Sequence, residues 1–584
     1  MRLWTREQAQ EIDRQTIESG FLSLDQLVRL AGARLAEAMQ RKFPHQPPLV
    51  FLVGPGLNGA DGWACASALV TKWKWSSNIQ VLFVEKKPSP VWTQLREEFK
   101  KLSFASANSA PLFVDENSEA SGPSVVKGSY LEGLLSHPLT TETVLVDGLF
   151  GTGLDRNLNP AWQRFLKELA LLPQFKIAID LPTGLDANTG GSRGQILKCD
   201  ATLTLGAPKP GLFMMEGPAT AGRITVLALP FPKSITQAVL KDRESLLGLF
   251  NKKLAQKIFP KVFHSSALMP VHKYDHGQTI VLAGSDAYPG AGWLVAQAAL
   301  RSGAGFVKVL TSEEDSLRPN WWSQLPEALY ENLEILITNW NQLSPKHQEQ
   351  LAHSAWVIGP GCTDQGQIES ALQFLAAQKI ENVVIDASAL IVFAQLVQAK
   401  SISVPSSWVL TPHAGEASAI LQLMKTQRSA GEESKWTAAK IDSDRLAAGR
   451  MLTKMFGCST VLKGFRTLIT TKREGLVYQW ICSSGNAGLA KAGSGDVLAG
   501  MLAGMLAQQN AHFVKAQLVN KGSSTNLPAL LLATWLHGRV ADDWLRSGRD
   551  FSSLSPSDLL ERLPRIIAAL RSQSQTQEVT PRKP

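Results

Sequence analysis

Short apolar, β-rich runs alternate with helix-like segments along this chain, which predicts an α/β protein whose parallel sheets are covered by helices. Three observations carry that reading. Most apolar runs deliver glycine or a polar residue at their C-terminal end, as strands of open sheets do where ligands bind. Glycine-rich loops run directly into helix-like segments at residues 54–62 and 493–496. The Leu229-Pro230-Phe231-Pro232 stretch then breaks the pattern between two strand sets, so two domains follow one another. With 584 residues and 44% hydrophobic content the chain can bury several cores, and its length suggests about two to four domains.

The first forty residues read as two helices, over 5–18 and 24–39, with apolar side chains at helical spacing. Residues 49–53 (LVFLV) are a buried strand that opens into Gly54-Pro55-Gly56-Leu57-Asn58-Gly59-Ala60-Asp61-Gly62, with a helix expected from about Trp63. A second strand, residues 144–147, ends on Asp147 and runs into Gly148-Leu149-Phe150-Gly151-Thr152-Gly153. A third, residues 177–180, ends on Asp180 before Leu181-Pro182-Thr183-Gly184. Either Asp can simply cap its turn. Both at one edge beside a glycine cradle suggest a site for a hard cation and an anion. Residues 231–262 carry seven basic and two acidic side chains and read as a solvated linker or helix; no aromatic interleaving supports an RNA-binding arm.

In the second half, the strand at 279–283 precedes Tyr288-Pro289-Gly290-Ala291-Gly292 and an Ala-rich helix. Residues 357–358 lead into Gly359-Pro360-Gly361, residues 383–385 end on Asp386, residues 408–410 lead into Thr411-Pro412-His413, and residues 461–462 end on Lys463-Gly464. The most informative stretch is 485–508, where Gly493-Ser494-Gly495-Asp496 opens an apolar helix. Glycines admit a phosphate to the backbone and the helix N-terminus faces it with N–H groups. A carboxylate there can act as a base, taking a proton from a hydroxyl that attacks phosphorus. The plainer alternative is an Asp N-cap. Gly500 and Gly504 read as a flat face for close helix packing, and the apolar run 497–507 is far short of the roughly 20 residues a membrane span needs.

Net charge is +9, and the five cysteines are isolated, without any Cys-x-x-Cys, which indicates neither a disulfide framework nor zinc and fits a reducing cytosol. The charged start shows no signal peptide. The Ser/Gln-rich tail from about Arg571 reads as disordered, and the sixteen Trp as packing residues.

The Thr-Pro-His-x-Gly-Glu run at 411–416, Lys463-Gly464 and Gly493-Ser494-Gly495-Asp496 together resemble the ADP-dependent NAD(P)H-hydrate dehydratases, a ribokinase-like group, over about residues 250–570. The resemblance implies a ribokinase-like α/β sandwich. It also implies transfer of ADP's terminal phosphate, with magnesium, to the hydroxyl of a hydrated nicotinamide cofactor, followed by elimination to leave AMP. Asp496 is the implied base. Lys463, Gly464, Phe465, Arg466, Thr467 and Gly495 are implied nucleotide contacts, and Ala291, Gly361, His413 and Asp496 hydrate contacts. The chain departs from the family at Cys362-Thr363 and at Ser388.

The first half is similar to the NAD(P)H-hydrate epimerases over about residues 1–230, which implies a Rossmann-like three-layer sandwich. That family reads Gly-Asn-Asn-Gly-Gly-Asp-Gly at the first loop; here Leu57 replaces the first Asn and Ala60 the second Gly. Implied potassium ligands are Asn58, Asp147 and Thr183. Implied hydrate contacts are Leu57, Asn58, Gly59, Ala60, Asp61, Gly151, Thr152, Gly153, Leu154, Asp155, Arg156, Asn157 and Asp180, the last also catalytic. The expected order is an epimerase domain (1–230), a basic linker or helix (231–262), a dehydratase domain (263–570) and a disordered tail (571–584). Fused, the two would return both epimers of hydrated NADH and NADPH to usable cofactor. The expected setting is a cytoplasmic homo-oligomer acting on small molecules, with no nucleic acid or membrane partner. The rival reading is a ribokinase-like vitamin or sugar kinase carrying a non-catalytic nucleotide-binding module.

Overall fold

The computed structural model describes residues 1–84, 88–102, 107–111, 139–241, 245–263, 272–311, 324–425, 436–515 and 526–578. It divides into two compact units, one formed by residues 2–244 and the other by residues 245–584 with Met1.

The first unit is built on a seven-stranded sheet. Its strands are β1 (Leu49–Val53), β2 (Ile79–Phe83), β3 (Ala107–Pro111), β4 (Val144–Gly148), β5 (Phe175–Ile179), β6 (Ala201–Leu205) and β7 (Arg223–Leu227), in the order β3-β2-β1-β4-β5-β6-β7. Every pairing is parallel. Alternate residues of β1 serve opposite faces, and both are apolar because both are covered. Phe51 and Val53 pack with α2 (Leu24–Lys42), α3 (Leu57–Thr71) and the Pro90–Lys101 helix. Val50 and Leu52 pack with Trp162, Phe165 and Leu166 of the Pro160–Leu171 helix on the other side. This is the expected three-layer sandwich. Helices α1 (Arg6–Glu18) and α2 both start with a capping box, Thr5 with Gln8 and Ser23 with Gln26.

The helix after β1 starts at Leu57 rather than near Trp63, with Gly56 as its N-cap, so residues 57–62 are its opening turns and the loop is only residues 54–56. The glycines are in the helix because neighbours crowd it: a Cβ on Gly59 would sit 1.9 Å from the Gly54 carbonyl oxygen.

The second unit is a ten-stranded sheet of β8 (Ser245–Phe250), β9 (Gln278–Leu282), β10 (Phe306–Thr311), β11 (Leu329–Asn332), β12 (Ala355–Ile358), β13 (Asn382–Ile385), β14 (Val409–Leu410), β15 (Ser459–Leu462), β16 (Leu468–Arg473) and β17 (Leu476–Cys482). The order is β11-β10-β9-β12-β13-β14-β15-β16-β17-β8. Only the β15–β16 and β16–β17 pairings are antiparallel. The stretch read as a basic linker is divided: residues 233–241 are a helix of the first unit, whereas β8 pairs in parallel with β17 in the second. Asp242, Arg243 and Glu244 lie outside the described residues. The final helix, Pro556–Glu578, carries the chain through the start of the segment expected to be a disordered tail; residues 579–584 lie outside the described residues. No described helix is long and apolar enough to cross a membrane.

The Ser494–Lys515 helix lies against the Pro289–Arg301 helix at near contact. A Cβ on Gly500 would meet the Val295 carbonyl oxygen at 2.2 Å and the Ala298 Cβ at 2.7 Å. We therefore expect Gly500→Ala to force the helices apart and cost about 1–3 kcal/mol, despite the better helix propensity of alanine. Urea unfolding of the full chain measures it; an unchanged or raised midpoint for the second unit would contradict this packing.

Candidate active sites

The carboxyl ends of β1, β4 and β5 and the chain after β6 converge on a cavity of about 380 Å³ in the first unit. Leu57, Asn58, Asp61, Gly151, Thr152, Gly153, Leu154 and Asp180 line it, together with Asp13 of α1 and Lys209. Asp180 follows β5 with φ of +63°, a left-handed conformation that costs a non-glycine residue about 1–3 kcal/mol. Its Oδ1 is held there by three donors: Lys209 Nζ at 2.5 Å, Thr204 Oγ1 at 3.0 Å and the Leu205 amide at 3.1 Å. Both ends of this ion pair are buried. Burial raises Asp13 to about 6, with the Lys209 charge opposing and the Asp180 charge reinforcing the shift. Burial lifts Asp61 well above the ordinary carboxylate range, helped by the charges of Asp180 and Asp13.

Behind the cavity, Asp147 is almost fully buried and ties two loops together. Its Oδ1 accepts from the Leu149 amide at 3.2 Å and Thr183 Oγ1 at 2.6 Å, and its Oδ2 accepts from the Thr183 amide at 2.7 Å. Asp147 thus does cap its turn, and it also joins Thr183 to it. Burial raises it to about 6 against those hydrogen bonds. Asn58 Nδ2 is buried without a hydrogen-bond partner, and the amide end of Asn58 rests against Gly151. The other residues expected at this site lie away from the cavity wall. Gly59 and Ala60 are buried in the first turns of α3, and Asp155, Arg156 and Asn157 are exposed beyond the loop. Sequence reasoning missed Lys209 and Asp13. Lys209 had a signal, since it follows strand β6 as the other site residues follow theirs. Asp13 had none beyond being a charge next to the buried Ile12.

In the second unit, Lys463 ends β15 and its Nζ lies 2.6 Å from Asp386 Oδ1 and 3.5 Å from Glu416 Oε2. Burial works against the ammonium, but the two carboxylates outweigh it and hold Lys463 above its ordinary value. Arg445 fastens this strand end from behind, donating to the carbonyls of Leu462 (2.6 Å) and Lys463 (3.1 Å). Asp496 is the third residue of the Ser494–Lys515 helix, and Gly493, with φ of +87°, precedes that helix, so Asp496 is not its N-cap. Burial, reinforced by Asp386 and opposed by Lys463, raises Asp496 to about 6. A Cβ on Gly495 would lie 3.6 Å from Lys463 Nζ, so the helix start and the lysine face one another closely.

Beside them is a cavity of about 240 Å³ lined by Lys463, Gly464, Phe465, Arg466, Thr467 and Gly495, all expected from the sequence. Ser484, Asn486 and His537 line it too and were not foreseen. Asp542 orders that wall by accepting from the Gly485 amide and Asn486 Nδ2, each at 3.2 Å. Burial lowers His537 to about 4, so it is neutral and shares a hydrogen bond with Ser494 Oγ at 3.2 Å. Gly361 and Ala291 come together: a Cβ on Gly361 would meet that of Ala291 at 2.6 Å. His413 is exposed rather than a core residue. Its Nδ1 accepts from the Gly415 and Glu416 amides, and Glu416 accepts from the His413 amide, which starts the Ala414–Lys425 helix.

An acid–base cavity at one sheet edge, and a lysine facing a glycine-rich helix start with a raised carboxylate at the other, define a two-domain α/β enzyme that handles nucleotides. The matching family models are "NAD(P)H-hydrate dehydratase" over residues 279–565 and "YjeF-related protein N-terminus" over residues 24–211. A bifunctional NAD(P)H-hydrate repair enzyme of Leishmania braziliensis is 26% identical over 99% of this chain and 95% of its own length. One from Thermosynechococcus vestitus is 29% identical over 84% and 86%. The structure of an ADP/ATP-dependent NAD(P)H-hydrate dehydratase from Bacillus subtilis, co-crystallised with ATP and magnesium, is 24% identical over 55% of this chain and 98% of its own, with a TM-score of 0.40. The chain belongs to the bifunctional NAD(P)H-hydrate repair enzymes, an epimerase domain followed by a dehydratase domain.

Replacing Lys463 by Met leaves Asp386, 1% exposed, without its partner. Breaking a buried pair from one side costs about 3–5 kcal/mol, whereas replacing both partners costs much less. We expect Lys463→Met to lower the urea midpoint of the second unit and Lys463→Met/Asp386→Leu to recover most of the loss. Additive losses would show that the two side chains do not act as a pair.

Proposed function

We propose that the epimerase domain interconverts the R and S hydrates of NADH and NADPH through Asp180, and that the dehydratase domain removes water from the S hydrate at the expense of ADP, giving AMP and phosphate. The observation that carries the second half is the Asp496 carboxylate. It stands in the first turn of a helix whose free amides suit a phosphate, near Lys463, with its pKa brought toward neutrality. None of the hydrogen bonds among the described residues engages it, so its oxygens are available to take the substrate's hydroxyl proton. The amides at Gly493 and Gly495 and the Lys463 ammonium would face the transferring phosphoryl group, whereas the Ser494 amide is taken by the Lys491 carbonyl at 3.2 Å. Phe465, half of whose surface is exposed, offers a ring at the mouth of the neighbouring cavity for the nucleoside. Asp386 and Glu416 are both engaged by Lys463, and no described cluster of His, Cys, Asp or Glu is arranged to hold a metal. Magnesium would therefore arrive on the nucleotide's phosphates, retaining waters.

The epimerase domain fits potassium. Asp147 offers one charged oxygen, Thr183 and the Phe150 carbonyl offer neutral ones 3.4 Å apart, and a rotated Asn58 amide would turn its oxygen toward the place of the unpartnered nitrogen. One carboxylate among neutral oxygens suits a large monovalent cation better than magnesium. Such a cation would offset the charge of the substrate's phosphates. The buried Asp180–Lys209 pair at the cavity favours catalysis there over a purely binding module. Five unpaired cysteines fit the reducing cytosol expected from the sequence, and a homo-oligomer remains part of this reading.

Four outcomes test it. Asp496→Asn should lower ADP-dependent dehydration by about 10²–10⁴-fold with nucleotide binding kept, and near-normal turnover would remove Asp496 as base. A base works deprotonated, so the wild-type rate should climb as pH rises through about 6. In the full chain, Asp180→Asn should leave one epimer repaired and the other accumulating; equal consumption of both would overturn the division of labour. Exchanging potassium for a large organic cation at equal ionic strength should slow epimerisation alone, and an indifferent epimerase would leave the cation site without support.

A further inference from the structure

We propose that Asp13, on helix α1, is the proton donor and acceptor of the epimerase site, a role that rests on the epimerase reading above. Four ionisable side chains line this cavity: Asp13, Asp61, Asp180 and Lys209. Two are committed to one another. Lys209 Nζ donates to Asp180 Oδ1 and to the Leu205 carbonyl, and Asp180 Oδ1 already accepts three bonds. Burial, with the charges of Asp180 and Asp13, pushes Asp61 well above the ordinary carboxylate range, which favours its protonated form. Asp13 sits near 6, where a carboxyl both gives and recovers a proton.

The helix that carries Asp13 is seated on the site loops. The Arg6 amide donates to Asn188 Oδ1 at 2.8 Å, and Asn188 Nδ2 donates to Glu7 at 3.0 Å. Gln10 Nε2 reaches the Thr152 carbonyl and Arg6 Nη1 the Leu154 carbonyl, each at 3.5 Å, from the loop that lines the cavity. A helix tied to these loops holds Asp13 in the cavity wall, whereas a helix present only to cover the sheet would not need a carboxyl at this position.

The step balances. The Asp13 acid gives its proton to the hydroxyl on the hydrated carbon, which lies next to the ring nitrogen. The C–O bond breaks and its electron pair leaves with water. The nitrogen lone pair forms a C=N bond, and the Asp180 carboxylate faces the resulting positive charge. Water then adds to either face: an oxygen pair forms the new C–O bond, the C=N pair returns to nitrogen, and the extra proton goes to the Asp13 carboxylate. Nothing is oxidised or reduced.

The test is epimerase turnover and its pH profile in the full-length protein, with ADP-dependent dehydration as the internal control. Because the acid form starts the reaction, wild-type kcat should fall as pH rises above about 6. Asp13→Asn should lower epimerase kcat by about 10²-fold, leave KM within a few-fold, and flatten that limb of the profile, while dehydration of the S hydrate is unchanged. Asp13→Glu should restore part of kcat and the pH dependence, which separates proton transfer from a merely structural part in folding α1. Wild-type kcat and pH profile in Asp13→Asn, alongside a dead Asp180→Asn, would overturn the role of Asp13 and leave the epimerase standing. A loss in Asp13→Asn with the pH limb intact would also overturn it. Absence of epimerisation in the wild-type chain would overturn the epimerase reading itself.

Discussion

In each sheet a lysine is buried against a carboxylate where parallel strands end, and both sites depend on that pairing. Lys209 meets Asp180 at 2.5 Å and Lys463 meets Asp386 at 2.6 Å. Taking two charges out of water is costly, and the attraction offsets it only when further hydrogen bonds complete the shell. Both pairs have such a shell. Asp180 gains Thr204 and the Leu205 amide; Lys463 gains Glu416, and Arg445 fastens its strand end. The backbone beside both pairs is left-handed without glycine, at Asp180 with φ of +63° and at Ala387 with φ of +50°. Strain of about 1–3 kcal/mol at each place persists only where the surroundings over-determine the chain. The pairs and their hydrogen bonds provide that determination, and the site side chains are aimed by it.

Most of the fold was legible because parallel strands buried on both faces read as continuous apolar runs. β1, β4, β9, β12, β13 and β15 were all visible that way, as was the polar or glycine residue each delivers. The close packing at Gly500 was legible too, since two glycines one helical turn apart leave a groove for a neighbour. What failed did so for local reasons. Glycines at 54–62 suggested a long loop, but crowding by the Gly54 carbonyl makes glycine a requirement inside the first turn of α3. β8 was hidden because it directly follows a charged stretch. The helix to Glu578 was hidden by polar composition.

The sites were legible unevenly. Asp147, Asp180 and Lys463, at or just after a strand's end, and Asp496 with its glycine neighbours at a helix start, were singled out from the sequence, whereas Lys209, four residues past β6, was not. Residues that reach a site from a distant element were missed as well. Asp13 arrives on a helix some 170 residues from Asp180, and His537 and Asp542 arrive on the Leu527–Arg546 helix. No spacing along the chain records such a meeting. His413 was singled out by its motif alone; its ring is exposed and caps its own helix through Nδ1, and its Nε2 lies 3.6 Å from Glu416 Oε1.

The two sites also solve one electrostatic problem in the same way. A proton-transfer group must titrate near working pH, yet a carboxyl in water titrates near 4. In both units burial is the larger cause of the rise and a nearby lysine is the restraint: Lys209 opposes the shift at Asp13, and Lys463 opposes it at Asp496. Without the lysine, burial and neighbouring carboxylates would carry the group further upward, in the direction of Asp61. Without the burial, the lysine would hold it as a weakly basic carboxylate. A value of about 6 at each site is the balance of the two, and it depends on the same lysine whose main partner is the deeper carboxylate. The structural ion pair and the tuning of the proton carrier are therefore one arrangement, and a change to either lysine alters both at once.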